Sequence, residues 1–314
     1  MADAAWRPSA TLDVVRRRAA LVERTRAFFR TRDVLEVDTP VLQGGANLDH
    51  GVVPLRIDTP DGARFLPTSP EHPLKRLVAA ERVDAWTLAP AFRRGESGRR
   101  HAPEFRMLEW YRTGWDDRRL ADEAIALLAD LTGLGDASER VTWRDAYRQH
   151  AGFDPIEAPL SAIEVLLGDA AAAIRGDRRA ALDLALATLV EPHLGRGRWT
   201  ILDEYPPEAA AQARLRVGAD GRPVAARFEL YRDGVELANG YWELTDAAEL
   251  DRRLDDELAA RGDRALQRDQ RFAAAMAHGL GDCAGIAVGF DRVVMLALGI
   301  DDIALVQAFA WDRA

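Results

Sequence analysis

An α+β fold, an antiparallel β-sheet flanked by helices, is predicted by three features of the sequence. Strand-like runs follow one another as neighbours and hairpins rather than alternating with helices, which argues against a doubly wound parallel sheet. Asp233-Gly234 lies between two such runs, a strong hairpin signal. Helix starts carry capping residues, as in Ser69-Pro70-Glu71 and in the spacing of Asp246 and Glu249.

The elements follow in order. Val14/Val15, Leu21/Val22 and Phe28/Phe29 recur every seven residues, so they share one face of a helix over 11–30. Leu35, Val37, Thr39 and Val41 alternate in a strand over 34–42, where Pro40 demands an edge or a bend. A short strand covers 64–68. Ser69 as N-cap, Pro70 at the first helical position and Glu71 in the first turn predict a helix to about residue 80. Runs 83–92 and 105–111 read as strands and 117–132 as a helix. The Ala/Leu-rich stretch 155–197 reads as a helical insertion of two or three helices within a single domain spanning 1–314. A strand over 199–202 is ended by Tyr205-Pro206-Pro207, and 227–231 with 235–242 form the hairpin. A helix runs from 246 to about 260. The final unit is a strand over 286–288, a turn at Gly289 and a helix over 291–298 closed by Gly299.

Composition excludes several classes. The chain has 314 residues, a formal net charge of −9, 48% hydrophobic and 30% charged residues, the profile of an ordinary globular protein. No run approaches 18 apolar residues, so no membrane span is expected. The start, Met1-Ala2-Asp3-Ala4-Ala5-Trp6-Arg7-Pro8, lacks the basic and apolar regions of a secretory signal. One cysteine, Cys283, permits no internal disulfide and no Cys₄ zinc site, and fits a reducing cytoplasm. The acidic balance disfavours a general nucleic-acid binder. The only lysine is Lys75, as a coding bias toward arginine would produce. Because Arg76 follows it, the G-K-[ST] of a P-loop is ruled out, and so is P-loop ATP chemistry. H-E-x-x-H, G-x-S-x-G and a strand-anchored G-x-G-x-x-G are also missing from the sequence.

Four segments carry chemistry. Period two puts Phe105, Met107, Glu109 and Tyr111 on one strand face. That is either a half-buried strand with a wet rim or a cation site with Glu109 as charge and Tyr111 as hydroxyl and ring face. Between 92 and 105 a loop holds Arg93, Arg94, Arg99, Arg100, His101, Glu96 and Glu104; guanidinium forks there suit a polyphosphate, though a solvated hairpin tip reads the same way. Glu236 and Glu243, seven residues apart, fall on opposite faces of a regular strand. A kink at Asn239-Gly240 would bring them together as a Mg²⁺ pair; without it one is a surface acid. In 285–292 small residues let a flat ligand approach the backbone and Arg292 can stack or reach phosphate, or the segment is simply a tightly packed turn.

In this order the segments resemble the signature motifs of the class II aminoacyl-tRNA synthetases. Leu35-Glu36-Val37-Asp38-Thr39-Pro40-Val41-Leu42 resembles motif 1, Phe92-Arg93 through Pro103-Glu104-Phe105 motif 2, and Gly285 through Gly289-Phe290-Asp291-Arg292 motif 3. Thr68-Ser69-Pro70-Glu71, Pro103-Glu104-Phe105-Arg106-Met107-Leu108-Glu109-Trp110-Tyr111 and Glu236-Leu237-Ala238-Asn239-Gly240 resemble the lysine branch. The motif 1 helix begins near Thr11, which leaves no room for an N-terminal anticodon domain. The chain therefore resembles the elongation factor P–(R)-β-lysine ligase family, free-standing lysyl-tRNA synthetase paralogues that modify a protein lysine and recognise no tRNA anticodon. The likeness runs from Trp6 to Ala314 and is weakest over 155–197.

The resemblance implies a class II synthetase-like catalytic domain, a cytoplasmic homodimer joined across 35–42, ATP and Mg²⁺ as cofactors, lysine or β-lysine as substrate and elongation factor P as acceptor. It implies Arg93 and Arg292 as catalytic, Arg93 at the α-phosphate and Arg292 at the adenine or γ-phosphate. ATP contacts would add Arg94, Glu96, His101, Phe105, Glu236, Leu237 and Gly289, and Mg²⁺ would sit at Glu236 and Glu243. Ser69, Glu71, Glu109, Tyr111, Asn239, Glu243 and Ala287 would hold the amino acid. Lysyl-tRNA synthetases have glycine where Ala287 stands and the ligases alanine; one methyl there is worth roughly 1–3 kcal/mol of discrimination. The chain departs from the pattern at Arg94-Gly95-Glu96, where Asn-Glu usually follows Phe-Arg, at Ala102, usually asparagine, and at His72, usually another aromatic. Two other readings stay open: a class II-like ligase charging a carrier or RNA, and an inactive paralogue that binds amino acid or ATP. Retention of the motif arginines and carboxylates argues against the inactive one.

Overall fold

The computed structural model describes residues 6–49, 51–261 and 266–314. Met1 to Ala5, read above as lacking a secretory signal, lie outside the described residues. The chain divides into two compact units, Met1–Leu134 with Gly240–Ala314, and Gly135–Asn239.

The first unit opens with α1 (Leu12–Arg30), capped by Thr11, whose hydroxyl accepts from the Val14 amide. The strand expected over 34–42 is only β1 (Leu35–Glu36). One further ladder bond, Val37 N–H to Trp86 O at 2.9 Å, precedes Pro40, which has no N–H with which to continue. A hairpin of β2 (Arg56–Thr59) and β3 (Gly62–Phe65) forms a separate small sheet; β2 is an element the sequence reading lacked. Then come α2 (Glu71–Glu81), β4 (Ala85–Phe92), β5 (Glu104–Thr113) and α3 (Asp117–Thr132).

The second unit holds β6 (Ser138–Thr142), α4 (Trp143–Ala146), α5 (Leu160–Leu167), α6 (Arg178–Ala185), β7 (Trp199–Tyr205), β8 (Leu215–Val217) and β9 (Pro223–Arg232). Strand β6 pairs parallel with β7, β7 antiparallel with β9, and β8 antiparallel with β9. Trp199, Tyr147, Phe228 and Tyr231 fill its core. Asp233-Gly234 turns the chain into β10 (Val235–Trp242) with both residues at positive φ, 51° and 73°, as a two-residue hairpin requires.

The first unit is completed by α7 (Ala247–Arg261), α8 (Gln270–His278), β11 (Cys283–Gly289) and α9 (Phe290–Leu298). Its strands run in the order β1-β4-β5-β11. The β4–β5 and β5–β11 pairs are antiparallel, as expected, but β1 joins β4 in parallel, so the sheet is mixed. The alternation of side chains then sorts the two faces. On one, Phe29 of α1 stacks on Trp86 at 4.8 Å between ring centroids and meets Trp110 edge-on at 5.3 Å. On the other, Ala85 and Tyr111 pack with Leu74 and Val78 of α2 and with Phe272 and Met276 of α8. Glu109 shares this second face with Tyr111, because it lies two residues away on the same strand.

Candidate active site

Three strands and one helix supply the acidic part of the site. Register places Glu109 opposite Thr87 of β4 and opposite Ala287 of β11, and Tyr111 opposite Gly285. Helix α2 brings Glu71 and Lys75, one turn apart and both buried. Glu243 follows β10 directly, and its amide donates to Cys283 O at 3.0 Å.

These side chains close a ring. The Ser69 hydroxyl donates to Glu109 Oε2 at 2.5 Å and accepts from the Glu71 amide at 3.1 Å. Ser69 thus grips both Glu109 and the Glu71 amide, but it is not the N-cap: Pro70 stands there with no side-chain cap bond, and α2 starts one residue later than expected. Lys75 Nζ donates to Glu71 Oε1 at 2.6 Å and pairs with Glu243 Oε2 at 2.7 Å. The Tyr111 hydroxyl donates to Glu109 Oε1 at 2.8 Å. Gly285 closes the circle sterically: a Cβ there would fall inside both the Tyr111 ring and the Glu243 carboxylate.

Burial sets the electrostatics. Glu109 is pushed up to about 8, first by burial and then by Glu71, against the pull of Ser69, Tyr111 and Lys75. Burial and Glu109 also hold the Tyr111 phenol well above its ordinary range, so it remains a donor. For Lys75, burial alone would favour the neutral amine, but Glu243 and Glu71 outweigh it and raise its pKa. Asp49 belongs to the same field. Burial and Glu71 push it up, while His72, Arg93 and Lys75 pull it down.

Guanidinium groups gather on the motif 2 loop. Arg93 Nε donates to Thr68 O at 3.3 Å, its Nη1 lies 3.6 Å from Glu96 Oε1, and its guanidinium sits 5.1 Å over the Phe105 ring. Glu96 is therefore the acid beside Arg93. Arg292, on the first turn of α9, donates from Nε to Arg100 O at 3.2 Å, with Nη2 2.6 Å from His101 Nε2. Burial and then Arg292 lower the His101 pKa, so the neutral ring accepts from the guanidinium. Asp291 holds this corner: its Oδ1 pairs with Arg18 at 2.5 Å and its Oδ2 accepts from the Arg106 amide at 2.7 Å. Gly289 caps α9 and lies opposite Met107. Arg94 is exposed, its amide bound to Val53 O at 2.8 Å. Buried Ala102 leaves an apolar position where an amide is usual.

His72 packs away from this cluster. Its ring stacks on Phe272 at 4.1 Å and its Nδ1 lies 3.5 Å from Asp269, which caps α8. Of the remaining expected residues, Glu236, Leu237 and Asn239 lie on β10 within the second unit; Leu237 is buried, Glu236 and Asn239 half-buried. Sequence reasoning missed Asp49 and the pairing role of Lys75. One signal for Lys75 was present: a single lysine among 42 basic residues.

Magnesium bound with a nucleotide takes one or two carboxylates, waters and phosphate oxygens. Among the described residues no group of three or more His, Cys, Asp or Glu could cage an ion alone. Glu243 is 1% exposed and pairs with Lys75, and Glu236 is half-buried on β10. Among the described residues no helix is long and apolar enough to cross a membrane.

The chain matches the family model of the class II tRNA synthetases (D, K and N) over residues 4–313. It is 40% identical over 329 residues to the elongation factor P–(R)-β-lysine ligase of Yersinia enterocolitica, covering 99% of both chains. It is 39% identical over 328 residues to the protein of the same name from Salmonella dublin, again over 99% of both.

Proposed function

From the premise that the chain belongs to the elongation factor P–(R)-β-lysine ligase family of class II synthetases, we propose that it activates (R)-β-lysine, or lysine, with ATP and transfers it to a lysine side chain of elongation factor P. A carboxylate oxygen of the amino acid attacks the α-phosphorus, the bond to the bridging oxygen breaks, and pyrophosphate leaves. The neutral acceptor amine then attacks the acyl carbon of the adenylate, AMP leaves with the bonding electrons, and the new amide nitrogen loses a proton.

The observation that carries this reading is the buried acidic ring facing ammonium chemistry, with guanidinium groups on the neighbouring motif 2 loop. Activation of this kind needs positioning and charge neutralisation more than a protein nucleophile. Arg93 neutralises the α-phosphate; Arg292, aimed by neutral His101, holds the adenine or the outer phosphates. Glu71, Glu109, Tyr111 and Ser69 seat the ammonium groups. The methyl of Ala287 lies opposite Glu109 and trims that seat toward the β-isomer. ATP arrives with Mg²⁺, for which Glu236 and Glu243 are the carboxylates the family resemblance implies. Leu35, Val41 and Leu42, all exposed, suit a homodimer contact, and the expected compartment is the cytoplasm.

Amino-acid-dependent ATP–pyrophosphate exchange tests the reading. Exchange strongest with (R)-β-lysine is expected, followed by label transfer to elongation factor P. Exchange driven best by an unrelated amino acid would overturn the substrate, and no exchange with any amino acid would overturn the activity.

A further inference from the structure

We propose that Lys75 is a positioning residue for the amino-acid substrate: its compact ammonium joins Glu71 of α2 to Glu243 after β10, so the two acids reach the site as one oriented pair. This rests on the reading above. Lys75 is 1% exposed, its Nζ lies 2.6 Å from Glu71 Oε1 and 2.7 Å from Glu243 Oε2, and 5.9 Å over the Tyr111 ring. The acids it joins are 172 positions apart in sequence and come from separate elements. Two buried carboxylates facing each other repel or share a proton unless a cation lies between them.

The choice of residue supports the assignment. The chain uses arginine at every basic position except this one. A guanidinium is planar and wide, with donors fixed in a fork, whereas an ammonium is a compact point charge whose three donors can serve two converging carboxylates. Charge supports it too. Glu71, Glu109 and Glu243 carry three negative charges when ionised, and Lys75 cancels one. The surplus of two matches a substrate with two ammonium groups. Burial and Glu71 favour the protonated form of Asp49, Arg93 faces Glu96, and His72 faces Asp269.

The test compares wild type, Lys75→Met and Lys75→Arg in pyrophosphate exchange, with calorimetric titration by (R)-β-lysine, by lysine and by ATP separately. Lys75→Met should raise KM and Kd for the amino acid at least about tenfold, and Lys75→Arg about fivefold. KM for ATP should stay within about twofold in both, a split that general loosening would not produce. If Lys75→Met does not fold, Lys75→Arg decides. A folded variant with unchanged amino-acid affinity, or with both affinities falling together, overturns the proposal. If wild type shows no exchange, the proposed activity fails separately, and the titrations still judge Lys75.

Discussion

Glu109 decides when the acidic ring can take a cation. With its pKa near 8, the free site holds a largely neutral carboxyl at pH 7, and an ammonium group must displace that proton. Amino-acid KM should therefore fall as pH rises toward about 8 and then level off. Glu109→Gln should raise KM about tenfold and flatten that profile in exchange assays. Stability moves the opposite way. A carboxyl whose folded pKa is raised binds its proton more tightly folded than unfolded, so stability is lost as pH rises from the unfolded value, about 4.5, through about 8. Glu109→Gln should accordingly match wild type at pH 5 in a thermal scan and melt about 3 °C higher at pH 9. An equal shift at both values would refute the buried-charge account. Gly285→Ala tests the steric side: overpacking against Tyr111 and Glu243 should remove about 1–3 kcal/mol and most amino-acid-dependent exchange.

At the scale of elements, one carboxylate of α9 ties it to two neighbours. Asp291 is buried and meets both Arg18 of α1 and the amide of Arg106 on β5. Asp291→Ala removes the acid from the half-buried Arg18 guanidinium and the acceptor from the Arg106 amide, and should cost about 2 kcal/mol in urea unfolding. His101→Ala should raise KM for ATP about fivefold with little effect on amino-acid KM, since Arg292 then loses one of its anchors while the acidic ring is untouched. The elements themselves were legible to different degrees. Helices α2 and α3, and the Asp233-Gly234 hairpin, announce themselves because their signals are local. Strand β1 was overread, since alternation of Leu35, Val37 and Val41 marks a face but not a partner. The β1–β4 and β6–β7 pairs are parallel for the same reason: direction is fixed by distant chain. The site residues on one strand, Glu109 and Tyr111, could be read together by period two. Lys75 with Glu243, or Arg18 with Asp291, could not, because those pairs exist only once separate elements have packed.

At the scale of the molecule, half-length strand pairing leaves Leu35 54% and Leu42 50% exposed. Light scattering is expected to give a dimer, and Leu42→Asp to give a monomer that retains its fold; a wild-type monomer at micromolar concentration would remove the proposed contact.

The placement of Lys75 has a chemical corollary. Acyl-adenylates react with any free, uncharged amine they meet, and the natural victims are surface lysines. This chain offers no lysine side chain at its surface: its sole ε-amine is sealed inside, held protonated between two carboxylates and so without a lone pair for attack. A catalyst of lysine acylation built in this way presents no ε-amine of its own to the mixed anhydride it makes.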